Sequence, residues 1–224
     1  MDIIPVIDLV GGVVVRAREG DRKAYRPIRT PLAPSSDPVD IVHALVRVHR
    51  FATLYVADLD AIMANGDNLP TLHRLRAEFP MLNLWVDNGA TDAAALVGRG
   101  LGTPIIGSES QRDSALLAQS NDAVLSLDFR DAVFQGPVAI LNQPQLWPQR
   151  IIVMTLARVG SGFGPDYARL AAIRAQAGRR TIYAAGGVRD INDLRALKAA
   201  GIAGALVATA LHDGRLTGAE IDLL

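Results

Sequence analysis

Short apolar runs recur along the chain, at Ile3–Leu9, Thr53–Ala57, Leu82–Val86, Thr103–Ile106, Ala123–Leu127, Ile151–Met154, Thr181–Ala184 and Ala203–Val207. Most are apolar nearly throughout rather than alternating, which is the pattern of strands buried on both faces. Between most of them the apolar spacing changes to a helical period, at Pro38–His49, Leu69–Glu78, Thr91–Gly98, Tyr167–Gln176 and Asp190–Ala199. Asp190 is placed to cap the last of these helices, and Asp193 stands at the position that completes a capping box. Eight strands alternating with helices predict an α/β protein, a closed (β/α)8 barrel occupying residues 1–224 as one domain. A doubly wound open sheet is the competing architecture.

The strand ends echo one another. Val6-Ile7-Asp8-Leu9 closes the first run and Ser126-Leu127-Asp128-Phe129 the fifth. Val56-Ala57-Asp58-Leu59 corresponds to Val153-Met154-Thr155-Leu156, and Ile106-Gly107-Ser108 to Val207-Ala208-Thr209. The third strand and turn, Leu84-Trp85-Val86-Asp87-Asn88-Gly89, match Ile182-Tyr183-Ala184-Ala185-Gly186-Gly187. Two half-barrel repeats, about 1–110 and 111–224, account for these echoes simply.

Composition narrows the field. Half of the 224 residues are hydrophobic, enough for a large core. Lys plus Arg and Asp plus Glu number 23 each, so no general basic field invites nucleic acid. No apolar run reaches the roughly 18 residues of a membrane span, and Met1 leads straight into strand-like sequence, so we expect a soluble chain without a cleaved signal. Zero Cys excludes disulfides and thiolate metal sites and fits the cytoplasm. His43, His49, His73 and His212 lack the spacing with carboxylates that a metal site needs, so a structural role is expected for all four. Oligomeric state is left open.

In a barrel of this kind the chemistry sits at the C-terminal strand ends. Asp8 and Asp128 both fall there, on opposite halves, where two carboxylates in unequal surroundings can divide into a general acid and a general base. Either could instead only start a turn. Thr155, ending the sixth strand, could hydrogen-bond a substrate. Gly186, Gly187, Ala208 and Thr209 follow the seventh and eighth strands, where small residues and a helix start let backbone N–H groups reach a phosphate. Arg16, Asp58, Asp87, Gly107 and Ser108 complete the candidate substrate-binding set. The segment Arg16–Pro38 is long for a connection. Between Arg16 and Arg29 it carries Arg16, Arg18, Arg22, Lys23, Arg26 and Arg29 against Glu19 and Asp21, a surplus suited to drawing in and covering an anionic substrate. Val159–Gly164 forms a second glycine-rich loop without the βαβ context of a nucleotide fingerprint.

These stretches resemble the histidine-biosynthesis barrel family, most closely its ProFAR isomerase branch, from Ile3 to about Thr217. The specific segments are "IIPVIDLVGGVVVR" (3–16), "VADLDAIMANGDN" (56–68), "LSLDFRD" (125–131) and "AAGGVRDINDLRALKAAGIAGALVATALHDGRLT" (184–217). The resemblance implies a duplicated (β/α)8 barrel that converts an aminoaldose to an aminoketose by Amadori rearrangement, without cofactor or metal. Its substrate, ProFAR, carries a phosphate at each end, one bound by each half. Carried over by motif, Asp8 is the base, Asp128 the acid and Thr155 their helper.

The chain departs from that pattern at two places. Asp87-Asn88-Gly89-Ala90-Thr91 stands where the family has a glycine-rich phosphate turn, and Leu156 with Arg158-Val159-Gly160 stands where it has an acidic residue and an Arg-Asp-Gly turn. A divergent group in methylotrophs and methanogens is similar, and through it a singly phosphorylated substrate of one-carbon cofactor synthesis is an alternative. A non-catalytic phosphometabolite binder is another. From Asp87 we expect one phosphate, in the second half, with a non-anionic group in the first.

Overall fold

The computed structural model describes residues 1–97, 100–120 and 122–224. Its strands are β1 (Asp2–Val10), β2 (Val13–Arg16), β3 (Arg26–Pro27), β4 (Thr53–Asp58), β5 (Asn83–Asp87), β6 (Thr103–Gly107), β7 (Val124–Arg130), β8 (Val133–Gln135), β9 (Arg150–Thr155), β10 (Thr181–Ala185) and β11 (Gly204–Val207). Eight of them pair in parallel in the order β1-β4-β5-β6-β7-β9-β10-β11, and β11 returns to β1 through Asp2↔Gly204 to Pro5↔Val207. The sheet is therefore a closed barrel, not an open doubly wound sheet. Each expected run lies in one of these eight strands, with ends differing by a residue or a few.

The helices are α1 (Pro38–Val48), α2 (Leu59–Ile62), α3 (Leu69–Glu78), α4 (Ala93–Val97), α5 (Val138–Asn142), α6 (Tyr167–Gln176), α7 (Ile191–Ala199), α8 (Thr209–His212) and α9 (Gly218–Asp222). α3 and α6 have the expected bounds, and α4 is shorter at its start, while Gly98 at the end of the expected helix lies outside the described residues. Asp190 caps α7 by accepting from the Asn192 and Asp193 N–H groups. Asp193 does not close the expected capping box: its carboxylate takes the Arg189 N–H at 2.9 Å and the Arg189 guanidinium instead.

Alternation along the strands separates two apolar layers. Ile3, Ile7 and Leu9 of β1 face the helices, as do Ile151 and Val153 of β9, in one large cluster. Facing inward, Ile4, Tyr55, Trp85, Ile105, Val124, Ile152, Tyr183 and Leu206 supply one side chain from each barrel strand. Trp85 and Tyr183 meet edge-on across the axis at 5.0 Å. This layer plugs the barrel as filled barrels require. Two residues farther along, the inward side chains of β4, β6, β7 and β10 shrink to Ala57, Gly107, Ser126 and Ala185. Space opens above the plug because these side chains cannot fill it.

Two antiparallel hairpins complete the strand ends. β2 folds back on β1 with Asp8 opposite Val15, and β8 folds back on β7 with Asp128 opposite Gln135. The sequence pattern shows neither hairpin. They stand four barrel strands apart.

Candidate active site

The space above the plug is a cavity of about 1040 Å³, measured out to its open mouth. Asp8 and Asp128 line it from β1 and β7, which lie opposite each other in the barrel, with three strands between them on either side. Both are on the inward parity of their strands, Asp8 with Ile4 and Asp128 with Val124. Burial pushes the Asp8 carboxyl up to about 7, with Asp87 adding to the shift and Arg22 opposing it. Burial and the charge of Glu109 push Asp128 to about 7 against the hydrogen bond from Ser126. Near neutrality each can hold or release a proton, which acid–base chemistry requires.

Asp128 is held firmly. Ser126 Oγ donates to its Oδ1 at 2.6 Å, and the Glu109 N–H donates to Oδ2 at 3.2 Å. Ser108 Oγ accepts the Asp128 N–H at 2.9 Å, and its own proton is shared between the Gln135 carbonyl at 2.8 Å and Asp128 Oδ2 at 3.1 Å. Fully buried Ser108 is therefore a support for Asp128 from behind. Gly107 keeps the space between two carboxylates open: a Cβ there would lie 3.2 Å from Asp87 Oδ2 and 3.6 Å from Asp128 Oδ2.

Gly186, Gly187, Ala208 and Thr209 line the same cavity. The two glycines have φ of +97° and +92°, and a Cβ would meet the Thr155 carbonyl oxygen at 2.5 Å or the Gly164 carbonyl oxygen at 2.3 Å. Only glycine allows this turn. Helix α8 starts at Thr209 beside it, leaving first-turn N–H groups without intrahelical acceptors.

Gly107 and Ser108 thus stand behind the cavity wall, and three further expected site residues stand elsewhere. Thr155 does not line the cavity; it shares the parity of Ile151 and Val153, while Met154 and Leu156 face the space. Asp58 is likewise outside the cavity, 1% exposed, and binds the Asn68 N–H at 2.8 Å and the Asn68 side-chain amide at 2.7 Å. Asn68 in turn accepts the Gly12 N–H at 2.7 Å, so Asp58 anchors the β1–β2 turn. Arg16 pairs with Asp213 at 3.0 Å and donates to the Arg29 carbonyl at 3.2 Å; it borders a small neighbouring cleft with His212.

The basic segment lies over the mouth. The Glu19 N–H donates to the Val159 carbonyl at 2.7 Å, Arg130 donates to the Gly20 carbonyl at 3.2 Å, and Arg22 is ion-paired with Glu109. Tyr25, from the same segment, also lines the cavity. Glu109 and Tyr55 were not legible as site residues. Tyr55 faces inward on β4 and donates its hydroxyl to Asp87 Oδ2 at 3.1 Å, and Glu109 follows the β6 end immediately after Ser108. Strand parity could have found Tyr55. Among the described residues no group of His, Cys, Asp and Glu is arranged to hold a metal ion.

Opposed carboxylates over a plugged barrel, with a glycine turn after β10, agree with one family, and residues 2–217 match the one described as histidine biosynthesis protein. The chain belongs to that family. An uncharacterized protein of Methanocaldococcus jannaschii is 29% identical over 231 residues, covering 99% of this chain and 97% of its own. The 1-(5-phosphoribosyl)-5-((5-phosphoribosylamino)methylideneamino)imidazole-4-carboxamide isomerase of Thermus thermophilus, the enzyme acting on ProFAR, is 30% identical, covering 96% of each chain. The isomerase of the same name from Myxococcus xanthus is 28% identical, over 99% of this chain and 98% of its own. This family member thus matches isomerases along nearly their whole length.

Proposed function

We propose that the protein is an aldose–ketose isomerase of the Amadori type, acting on a phosphorylated aminoaldose with Asp8 as base and Asp128 as acid. The observation that carries this reading is the pair of carboxylates facing one cavity from opposite strands, both raised to about 7. Family membership and the isomerases among its relatives agree with it. Asp128 protonates the sugar ring oxygen as its bond to C1 breaks, leaving a C1 iminium. Asp8 removes the C2 proton, and the electron pair forms a C1=C2 enolamine. C1 then takes up the proton from Asp8 while the C2 hydroxyl loses its own, which restores Asp128 and leaves the C2 ketone. No atom is gained or lost.

Gly186, Gly187, Ala208 and Thr209 hold the phosphate, and the Thr155 carbonyl oxygen lies where a Cβ on Gly186 would have to go. The segment from Arg16 to Arg29 shields the enolamine from water. Among the described residues no helix is long and apolar enough to cross a membrane. A non-catalytic binder has no use for two opposed carboxylates.

The test is transfer of the C2 hydrogen. With a phosphorylated aminoaldose deuterated at C2 and supplied at saturation, the wild type should show a primary isotope effect on kcat and lose deuterium from C2, to C1 or by exchange on Asp8 to solvent. Asp8→Asn should abolish the loss. Deuterium release by Asp8→Asn at the wild-type rate would remove Asp8 from the role of base.

A further inference from the structure

Apart from Asp128, the charges around the cavity differ by half, with carboxylates predominating in the first and Arg in the second. Arg130, Arg158, Arg189 and Arg215, which end or follow β7, β9, β10 and β11, line it from the second half, with Arg189 paired to Asp193 and Arg215 to Asp213. Arg158 Cβ lies 3.4 Å from the Cβ position of Gly186, beside the glycine turn. Asp87 and Glu109, which end or follow β5 and β6, line it from the first half, and Arg22 above them is already joined to Glu109. A substrate entering this field has a preferred direction.

The turn after β5 is also filled from within. Asp87 Oδ1 accepts the Gly89 N–H at 3.1 Å, so the chain's own carboxylate takes an amide that would otherwise face a phosphate oxygen. Its Oδ2 holds the Tyr55 hydroxyl. Ser108, the counterpart of Thr209, has no exposed surface and is spent on Asp128 and Gln135. The Gln111 amide ties the Ala90 carbonyl at 2.8 Å and fixes the turn. Asp87 does not turn away to cap the next helix; it is 7% exposed and borders the cavity. A phosphate about 4 Å from an ionised Asp87 would lose on the order of a thousandfold in affinity.

We infer that the substrate carries a single phosphate, bound at the Gly186–Gly187 and Ala208–Thr209 end, and presents at its other end a hydrogen-bond donor without negative charge to Asp87. This deepens the isomerase reading and rests on it for the reaction, but its tests read binding alone.

Crystals of the wild type soaked in inorganic phosphate should show an anion at the second-half turn and none at Asp87–Thr91. Anions at both turns, or none at the second, would overturn the inference. In titrations, at least one of the two singly dephosphorylated forms of ProFAR should bind at least tenfold more tightly than ProFAR; neither doing so also overturns it. Asp87→Gly combined with Asn88→Gly should raise ProFAR affinity at least tenfold, with inorganic phosphate at the second-half turn unchanged as evidence of an intact fold. Unchanged ProFAR affinity in that folded variant counts against the inference. The isomerase reading fails separately, through absence of C2 hydrogen transfer.

Discussion

Replacing Asp8 by Asn should stabilise the protein at alkaline pH while stopping its chemistry. Burial raises the Asp8 carboxyl from 3.8 to about 7, and among the described residues no hydrogen bond to the protein offsets that cost. The folded protein therefore holds this proton more tightly than the unfolded chain does. Its contribution to stability is complete below about pH 4, falls as pH rises, and is gone above about pH 7. The interval from 3.8 to about 7, at about 1.4 kcal/mol per pH unit, sets a ceiling of about 4 kcal/mol. Asn carries no charge at any pH, so the variant escapes the loss. Urea unfolding at about pH 4.5 and about pH 8.5 measures it. The variant should match the wild type within about 1 kcal/mol at the lower pH and exceed it by up to about 4 kcal/mol at the higher. An equal difference at both pH values would refute the claim that Asp8 is held in a site that disfavours its charge.

Gly187→Ala forces a Cβ to within 2.3 Å of the Gly164 carbonyl oxygen at φ +92°. It should lower stability by about 1–3 kcal/mol and abolish inorganic phosphate binding, read by thermal melting and by titration. Neutralising Arg22, Lys23 and Arg26 to Gln should reduce kcat/KM and flatten its dependence on salt, and an unchanged salt slope would make the segment a solvated surface. Asn68→Ala removes the link from Asp58 to the Gly12 N–H and should cost about 1–3 kcal/mol in urea unfolding with kcat little changed.

The barrel was legible because fully buried strands leave continuous apolar runs, and Asp8 and Asp128 stood out as polar ends to such runs. The glycine turn at Gly186–Gly187 was legible for a similar reason, since a positive φ and a close backbone leave no other residue. The two hairpins were not, because Val13–Arg16 and Val133–Gln135 are too short to announce a partner. Asp58 and Thr155 looked alike in sequence as polar strand ends, and both prove to lie one residue past an inward position, Ala57 and Met154. Position within the pleat separates them from Asp8 and Asp128. Glu109 escaped notice because its place depends on the lid residue Arg22, which is 87 positions away in the chain.

The central claim is that Asp8 and Asp128 carry the acid–base chemistry of an aminoaldose isomerase. Turnover of a phosphorylated aminoaldose by the wild type, Asp8→Asn and Asp128→Asn, with kcat and KM resolved for each, tests it most directly. Each variant should lose about 10²–10⁴-fold in kcat while KM stays within several-fold of the wild type. Wild-type kcat in either variant would contradict the account.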